Sequence, residues 1–83
     1  MAWVYLLRGD SGRHYIGSTN DLSRRLEEHR SGGTHTTRRL GELELIASVE
    51  MASLEAARAL ERELKRKKNP QLALYKLQNM PQR

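Results

Sequence analysis

Three small constellations in this chain of 83 residues place reactive side chains at spacings that chemistry can use. Arg25 and His29 stand one helical turn apart, and at that period they share a side with Leu22 and Leu26, while Arg24, Glu27 and Glu28 fall on the far side. A helix with only a structural task turns its charges to water. A guanidinium and an imidazole beside the apolar seam are aimed at a cleft; the competing reading is an Arg that snorkels past the leucines and a satisfied edge histidine. Glu61 sits on the flank of a second apolar stripe, next to Leu54 and Ala57, whereas Glu55 and Glu63 project away from it. A carboxylate at such an edge can hold a divalent cation, with water completing the shell. It can equally be the exposed i,i+4 partner of Lys65, in the favoured order. Tyr5 and Tyr15 form the third set, two phenols in strand-like surroundings; the plain alternative is a pair of core tyrosines whose hydroxyls reach water.

The elements that must position these groups follow from pattern. Trp3 to Arg8 is rich in aromatic and branched residues and reads as a strand, Gly9-Asp10-Ser11-Gly12 as a turn, and His14 to Thr19 as the returning strand of a hairpin. Whether Tyr5 and Tyr15 share a face depends on the turn. A connection with an odd number of residues puts both rings on one side, as a Gly9-Asp10-Ser11 loop with Gly12 at positive φ would; a four-residue loop separates them. Asn20 or Asp21 can cap a helix that runs to about Arg30 and ends at Ser31-Gly32-Gly33. Thr34 to Gly41 is a polar, basic loop. From Glu42 to Glu50 the chain alternates, with Leu43, Leu45, Ala47 and Val49 expected to point one way and Glu42, Glu44, Ser48 and Glu50 the other; only Ile46 breaks the pattern. Ser53 can cap a second helix with the stripe Leu54, Ala57, Leu60 and Leu64, its C-terminal end carrying Lys65-Arg66-Lys67-Lys68, where cations suit the helix dipole. Asn69-Pro70 breaks that helix, and Leu72, Leu74, Tyr75 and Leu77 predict a last short helix packed back on the core. The expected fold is α/β in the α+β sense: a small, antiparallel-containing three-stranded sheet flanked by helices, in the order β-β-α-β-α-α, with residues 1–83 as a single domain.

Composition narrows the partners. Fifteen Lys and Arg against ten Asp and Glu give a net charge of +5, and the pI is near 10.1. A small basic domain points to a nucleic-acid partner, against the alternative of a surface solubilised by surplus lysine. No stretch reaches the roughly 18 apolar residues of a membrane span, so no membrane partner is expected. The absence of Cys excludes disulfides, thiolate zinc sites and cysteine nucleophiles. With an N-terminal run too short and too neutral for a signal peptide, it makes a cytoplasmic location the expectation.

The ordered set of residues resembles a known family. Trp3-Val4-Tyr5, followed by Tyr15-Ile16-Gly17, is similar to the paired motifs of the GIY-YIG nuclease domain. Gly17-Ser18-Thr19-Asn20-Asp21-Leu22 fits that family's Gly, its Thr two residues on and its helix-opening Leu; Arg25-Leu26 and His29 fit the helix Arg and His; Glu61, with Lys65 a turn later, fits the single metal-binding Glu. The likeness runs from about Trp3 to Lys68 and is greatest to the compact stand-alone branch, which also resembles the N-terminal domain of the bacterial excision-repair nuclease. Two departures stand out. The first motif keeps only its Tyr, at positions where family variants accept apolar residues. Arg13 and His14 occupy the place where some members carry a Lys near Tyr15. Asn69 stands where some members carry an Asn after the Glu helix and is not assigned to the site.

The resemblance implies a metal-dependent endonuclease that hydrolyses phosphodiester bonds in DNA, with branched or damaged DNA in repair or recombination as the expected substrate. It implies catalytic roles for Tyr5, Tyr15, Arg25, His29 and Glu61, with Glu61 holding one Mg²⁺ or Mn²⁺ ion and Arg25 on the phosphate oxygens. Tyr5 or His29 is the general base; a Tyr at its ordinary pKa near 10 needs cations nearby to serve, and both assignments stay open. Thr19, Arg38, Arg39, Lys65 and Lys68 are the expected nucleic-acid contacts. The rival readings are a non-catalytic nucleic-acid-binding module and an interaction module held in a larger repair complex through Leu72 to Leu77.

Overall fold

The computed structural model describes residues 1–10, 12–30 and 43–80. Three strands, β1 (Ala2–Gly9), β2 (His14–Thr19) and β3 (Leu43–Met51), form one antiparallel sheet in the order β2-β1-β3. Three helices accompany it: α1 (Leu22–Arg30), α2 (Leu54–Lys67) and α3 (Pro70–Asn79). The α+β class and the order β-β-α-β-α-α are those expected from the sequence.

β1 lies in the middle and is apolar on both faces, which is why it reads as an unbroken run rather than an alternation. Ala2, Val4 and Leu6 point to one side, where Val49 joins them, and Ala57, Leu60 and Leu64 of α2 and Ala73 and Leu77 of α3 close the core against them. Tyr5 and Leu7 point the opposite way and are also buried. The register pairs Tyr5 with Gly17 and Leu7 with Tyr15. Both tyrosines therefore share a face, as diagonal rather than directly opposed neighbours. The turn has the odd parity this requires: Arg8 pairs with His14, the Gly9 N–H donates to the Arg13 carbonyl at 2.8 Å, and Gly12 takes φ 87°.

β3 departs from the simple alternation. The pairing jumps between Leu6–Ala47 and Leu7–Leu45, leaving Ile46 as the extra residue of a β-bulge. Leu45 and Ala47 consequently face opposite sides of the sheet, not the same side as strict alternation predicts. Ile46 packs against the core.

The helix ends follow local chemistry. Asp21, not Asn20, caps α1: its Oδ1 accepts from the Arg24 N–H at 3.1 Å. The Thr19 hydroxyl accepts from the Asp21 N–H and donates to the Asp21 carbonyl, closing the turn between β2 and α1. Ser53 caps α2 by accepting from the Ala56 N–H at 3.1 Å. Lys68 ends α2 in the left-handed region at φ 51°, and Asn69 caps α3 through bonds from Gln71 and Leu72. α3 turns Ala73, Leu74 and Leu77 to the core, while Leu72 is half-buried and Tyr75 largely exposed. Among the described residues no helix is long and apolar enough to cross a membrane.

Candidate active site

The shared face of β1 and β2 supplies the floor of the site. Gly17 lies directly opposite Tyr5, and the ring of Tyr5 folds over it. A Cβ at position 17 would run into the Tyr5 hydroxyl and lie 2.5 Å from its Cζ and 3.0 Å from Cε1 of Tyr15. Only glycine leaves room for the phenol, and this close approach is the reason for Gly17 rather than any turn conformation.

α1 brings in the next two groups. His29 is almost fully buried, and its Nε2 forms a 2.9 Å hydrogen bond with the Tyr5 hydroxyl. The imidazole stands edge-on to Tyr5 at 5.7 Å between ring centres and lies 5.1 Å from Tyr15; the two phenols are 6.3 Å apart. Arg25, one turn earlier, lines the pocket, with its Nη1 donating to Glu28 at 3.0 Å. Glu28 also accepts from Arg24. Helical spacing had put Glu28 and Arg24 on the far side of α1; instead they reach round to the same rim as Arg25.

α2 contributes Glu61 from beside the β2 edge. One carboxylate oxygen accepts a short hydrogen bond from the Ser18 hydroxyl, and the other meets the Lys65 ammonium at 2.7 Å. Lys65 also lies 5.6 Å above the Tyr15 ring. Glu61 therefore pairs with Lys65, as its i,i+4 spacing predicts, and also lines the pocket beside Tyr5 and Tyr15. Tyr5, Tyr15, Arg25 and Glu61 line one pocket of about 350 Å³ together with Gly17, Ser18, Arg58 and Arg62. His29 stands behind Tyr5 rather than on the pocket wall.

The electrostatics are set by burial and by Arg25. Desolvation pushes the Tyr5 phenol up to about 12, with the nearby Arg25 guanidinium opposing the rise. Burial, and then the Arg25 charge, pull the His29 imidazole below its ordinary value, against a smaller opposite effect of Glu28. His29 is therefore neutral at pH 7 and able to accept a proton, while Tyr5 holds its own.

The expected nucleic-acid contacts divide. Thr19 lies at the rim, with its hydroxyl engaged in the turn it closes. Lys65 and Lys68 line a neighbouring pocket on the far side of Tyr15, together with His14 and Asn69. The Asn69 side chain is occupied in capping α3. Arg38 and Arg39 lie outside the described residues, as does the basic loop that carries them. Sequence reasoning missed Ser18, Arg58 and Arg62. Arg58 had a legible signal, since it precedes Glu61 by three residues on one helix and must share its side; Ser18 had none, because its bond to Glu61 spans 43 positions of the chain.

A cation would find sparse provision here. Among the described residues no group of three or more His, Cys, Asp or Glu converges. Glu61 offers one partly exposed carboxylate with the Ser18 hydroxyl at its side. That donor set suits a hard cation whose other ligands are water and substrate oxygen.

The family model described as the GIY-YIG catalytic domain matches residues 1–76. A UPF0213 protein of Streptococcus pneumoniae serotype 4 is 45% identical over 71 residues, covering 84% of this chain and 72% of its own. A UPF0213 protein of Orgyia pseudotsugata multicapsid polyhedrosis virus is 38% identical over 80 residues, 94% of this chain and 77% of its own. The solution NMR structure of a UPF0213 protein from Bacillus halodurans superposes with a TM-score of 0.56 at 38% identity, covering 93% of this chain and 87% of that one.

Proposed function

The chain belongs to the GIY-YIG catalytic domain family, a family of nucleases, and on that premise we propose that it is a metal-dependent endonuclease acting on phosphodiester bonds in DNA. The observation that carries this reading is the convergence of Tyr5, Tyr15, Arg25 and Glu61 on one pocket, with His29 bonded to Tyr5 from behind.

Hydrolysis of a phosphodiester brings a water-derived nucleophile against an anion, so positive charge must gather where charge develops. Arg25 supplies it as a planar fork suited to two phosphate oxygens, turning toward substrate from Glu28. Glu61 and Ser18 would hold one Mg²⁺ or Mn²⁺, whose charge offsets that of the phosphate and of the leaving oxygen. For that, the Lys65 ammonium has to give up its place on the Glu61 carboxylate.

Proton removal uses Tyr5 and His29 together rather than either alone. Tyr5 faces the pocket and meets the attacking water, but its phenol is too weakly acidic to stand as phenolate at pH 7. His29 is neutral and stands behind Tyr5, off the pocket wall that Tyr5 lines. The hydrogen bond between them lets the water's proton pass to Tyr5 as the Tyr5 proton passes to Nε2 of His29. Tyr15 packs against both rings and keeps the phenol in place. Branched or damaged DNA in repair or recombination is the substrate class this reading favours, with the protein acting in the cytoplasm.

The test is cleavage of a panel of branched, nicked and single-stranded DNAs with Mg²⁺ and with EDTA. Metal-dependent cutting is expected, with Glu61→Gln and Arg25→Ala each losing at least about 10²-fold, the scale of one transition-state contact. Tight DNA binding in EDTA, with no cutting in Mg²⁺, would instead make the domain a non-catalytic binder.

A further inference from the structure

The pocket that holds Tyr5 and Glu61 does not end at its own rim. It shares Ser18, Arg25 and Arg58 with an adjoining pocket of about 350 Å³, so the two form one trough with an inner and an outer lobe. The outer lobe is walled by Thr19, Asn20, Arg24, Arg25, Glu28 and Arg58. It contains no phenol, imidazole or cation-holding carboxylate of the inner lobe, and three of its walls are guanidinia.

The charges in the outer lobe are unequally matched. Glu28 is its sole carboxylate and already serves both Arg24 and Arg25, at 3.3 and 3.0 Å. Arg58 has no ion-pair partner among the described residues. It projects from α2 one turn before Glu61, on the wall between the lobes. A guanidinium left over beside the reacting centre, in a lobe with surplus positive charge, is placed to take a second anion.

We propose that the outer lobe is a subsite for the DNA phosphate next to the one being cut, with Arg58 as its principal contact and Glu28 as the carboxylate that this phosphate displaces from Arg24. The inference rests on the reading of the inner lobe as the cleavage site, and it adds a direction: the DNA strand runs from Glu61 past Arg58 toward the turn at Thr19 and Asn20. Arg58 is a binding and positioning residue, and its loss weakens substrate capture more than the chemical step.

The experiment is fluorescence anisotropy of a labelled flapped duplex in EDTA across a salt series, for wild type, Arg58→Ala, Arg58→Lys and Glu28→Gln, with a thermal melt of each variant. Arg58→Ala is expected to bind more weakly and to reduce the salt slope by about one unit, the contribution of one phosphate contact. Arg58→Lys restores the slope, and Glu28→Gln binds more tightly than wild type. A neutral methylphosphonate moved along the strand weakens wild type at one position where Arg58→Ala suffers no further loss. Unchanged affinity and slope in Arg58→Ala, or methylphosphonate losses that add to it at every position, overturn the subsite. A wild type that binds no DNA overturns both this inference and the nuclease reading. Binding with the expected slope change but no cleavage in Mg²⁺ upholds Arg58 and the outer lobe as a phosphate site and overturns the nuclease reading of the inner lobe.

Discussion

Gly17 and Tyr5 show how much of this site depends on a single missing methyl group. The Tyr5 ring lies where any Cβ at position 17 would go, and the ring has no other space because it is fully buried. Gly17→Ala is therefore expected to destabilise the fold by about 1–3 kcal/mol, the cost of forcing extra volume into a packed site. By moving the Tyr5 hydroxyl off His29 it should also depress cleavage. Urea titration and a single-turnover assay check both, and an alanine variant that matches wild type in each would show that the phenol is not held over Gly17.

The bonded pair of Tyr5 and His29 predicts a pH dependence. The folded imidazole of His29 has its pKa lowered, so below the ordinary value near 6.5 the unfolded chain binds a proton that the folded one resists. Stability falls as pH drops from about 7 to 5, because the unfolded state then takes up more protons. The phenol works at the other end. With Tyr5 raised to about 12, the unfolded chain loses its proton first above pH 10, and stability declines from there toward 12. Urea midpoints from pH 5 to 11 should show both limbs. His29→Gln should flatten the acid limb and Tyr5→Phe the alkaline one; limbs that persist in those variants would assign the titration elsewhere.

At the scale of elements, α1 and α2 are brackets that carry the site on their edges. α1 buries Leu22 and Leu26 only in part, yet holds Arg25 at the pocket and His29 beneath it, because residues four apart stack on one side of a helix. α2 buries Ala57, Leu60 and Leu64 and sets Arg58, Glu61 and Lys65 along the border of that stripe. Its position depends on its first turn, where Ser53 accepts from Ala56 and Glu55 faces the positive end of the dipole. Ser53→Ala should cost about 1 kcal/mol of stability, the usual value of an N-cap, with little change in cleavage at temperatures where the protein stays folded. A drop in activity at full folding would mean that the cap also sets the orientation of Glu61. The bulge at Ile46 is the one strand irregularity among the described residues, and it lets β3 feed Ala47 to one face of the sheet and Leu45 to the other.

At the scale of the whole molecule, the net charge of +5 is unevenly distributed. Arg25, Arg58 and Arg62 surround the candidate catalytic pocket, and Lys65 and Lys68 line the next one along α2. The exposed ion pairs elsewhere, such as Arg8–Glu44 and Lys76–Glu63, are worth little for stability in water. The core that does hold the molecule is small: Ala2, Val4 and Leu6 of β1 and Val49 of β3, faced by two helices. This is why a single cap or a single overpacked position is expected to be measurable.

Much of this was legible in the sequence because it is local. Turn residues, caps and the apolar stripes of α1 and α2 depend on neighbours within a few positions, and they placed every element in order and put Arg25 with His29 and Glu61 with Lys65. What pattern could not supply was anything decided between elements. The register that sets Tyr5 opposite Gly17, the bulge at Ile46, the bond from Ser18 to Glu61 and the junction of two lobes at Arg58 all join residues distant along the chain. Such contacts are chosen by how a sheet face, its edge and two helices pack around a common volume, and hydrophobic periodicity carries no record of which distant side chain fills the remaining space. The chain by itself determined which chemical groups are present and, for Arg25, His29 and Glu61, on which side of their helices they stand; packing alone decided that they meet, and that Tyr5 reaches His29 before it reaches water.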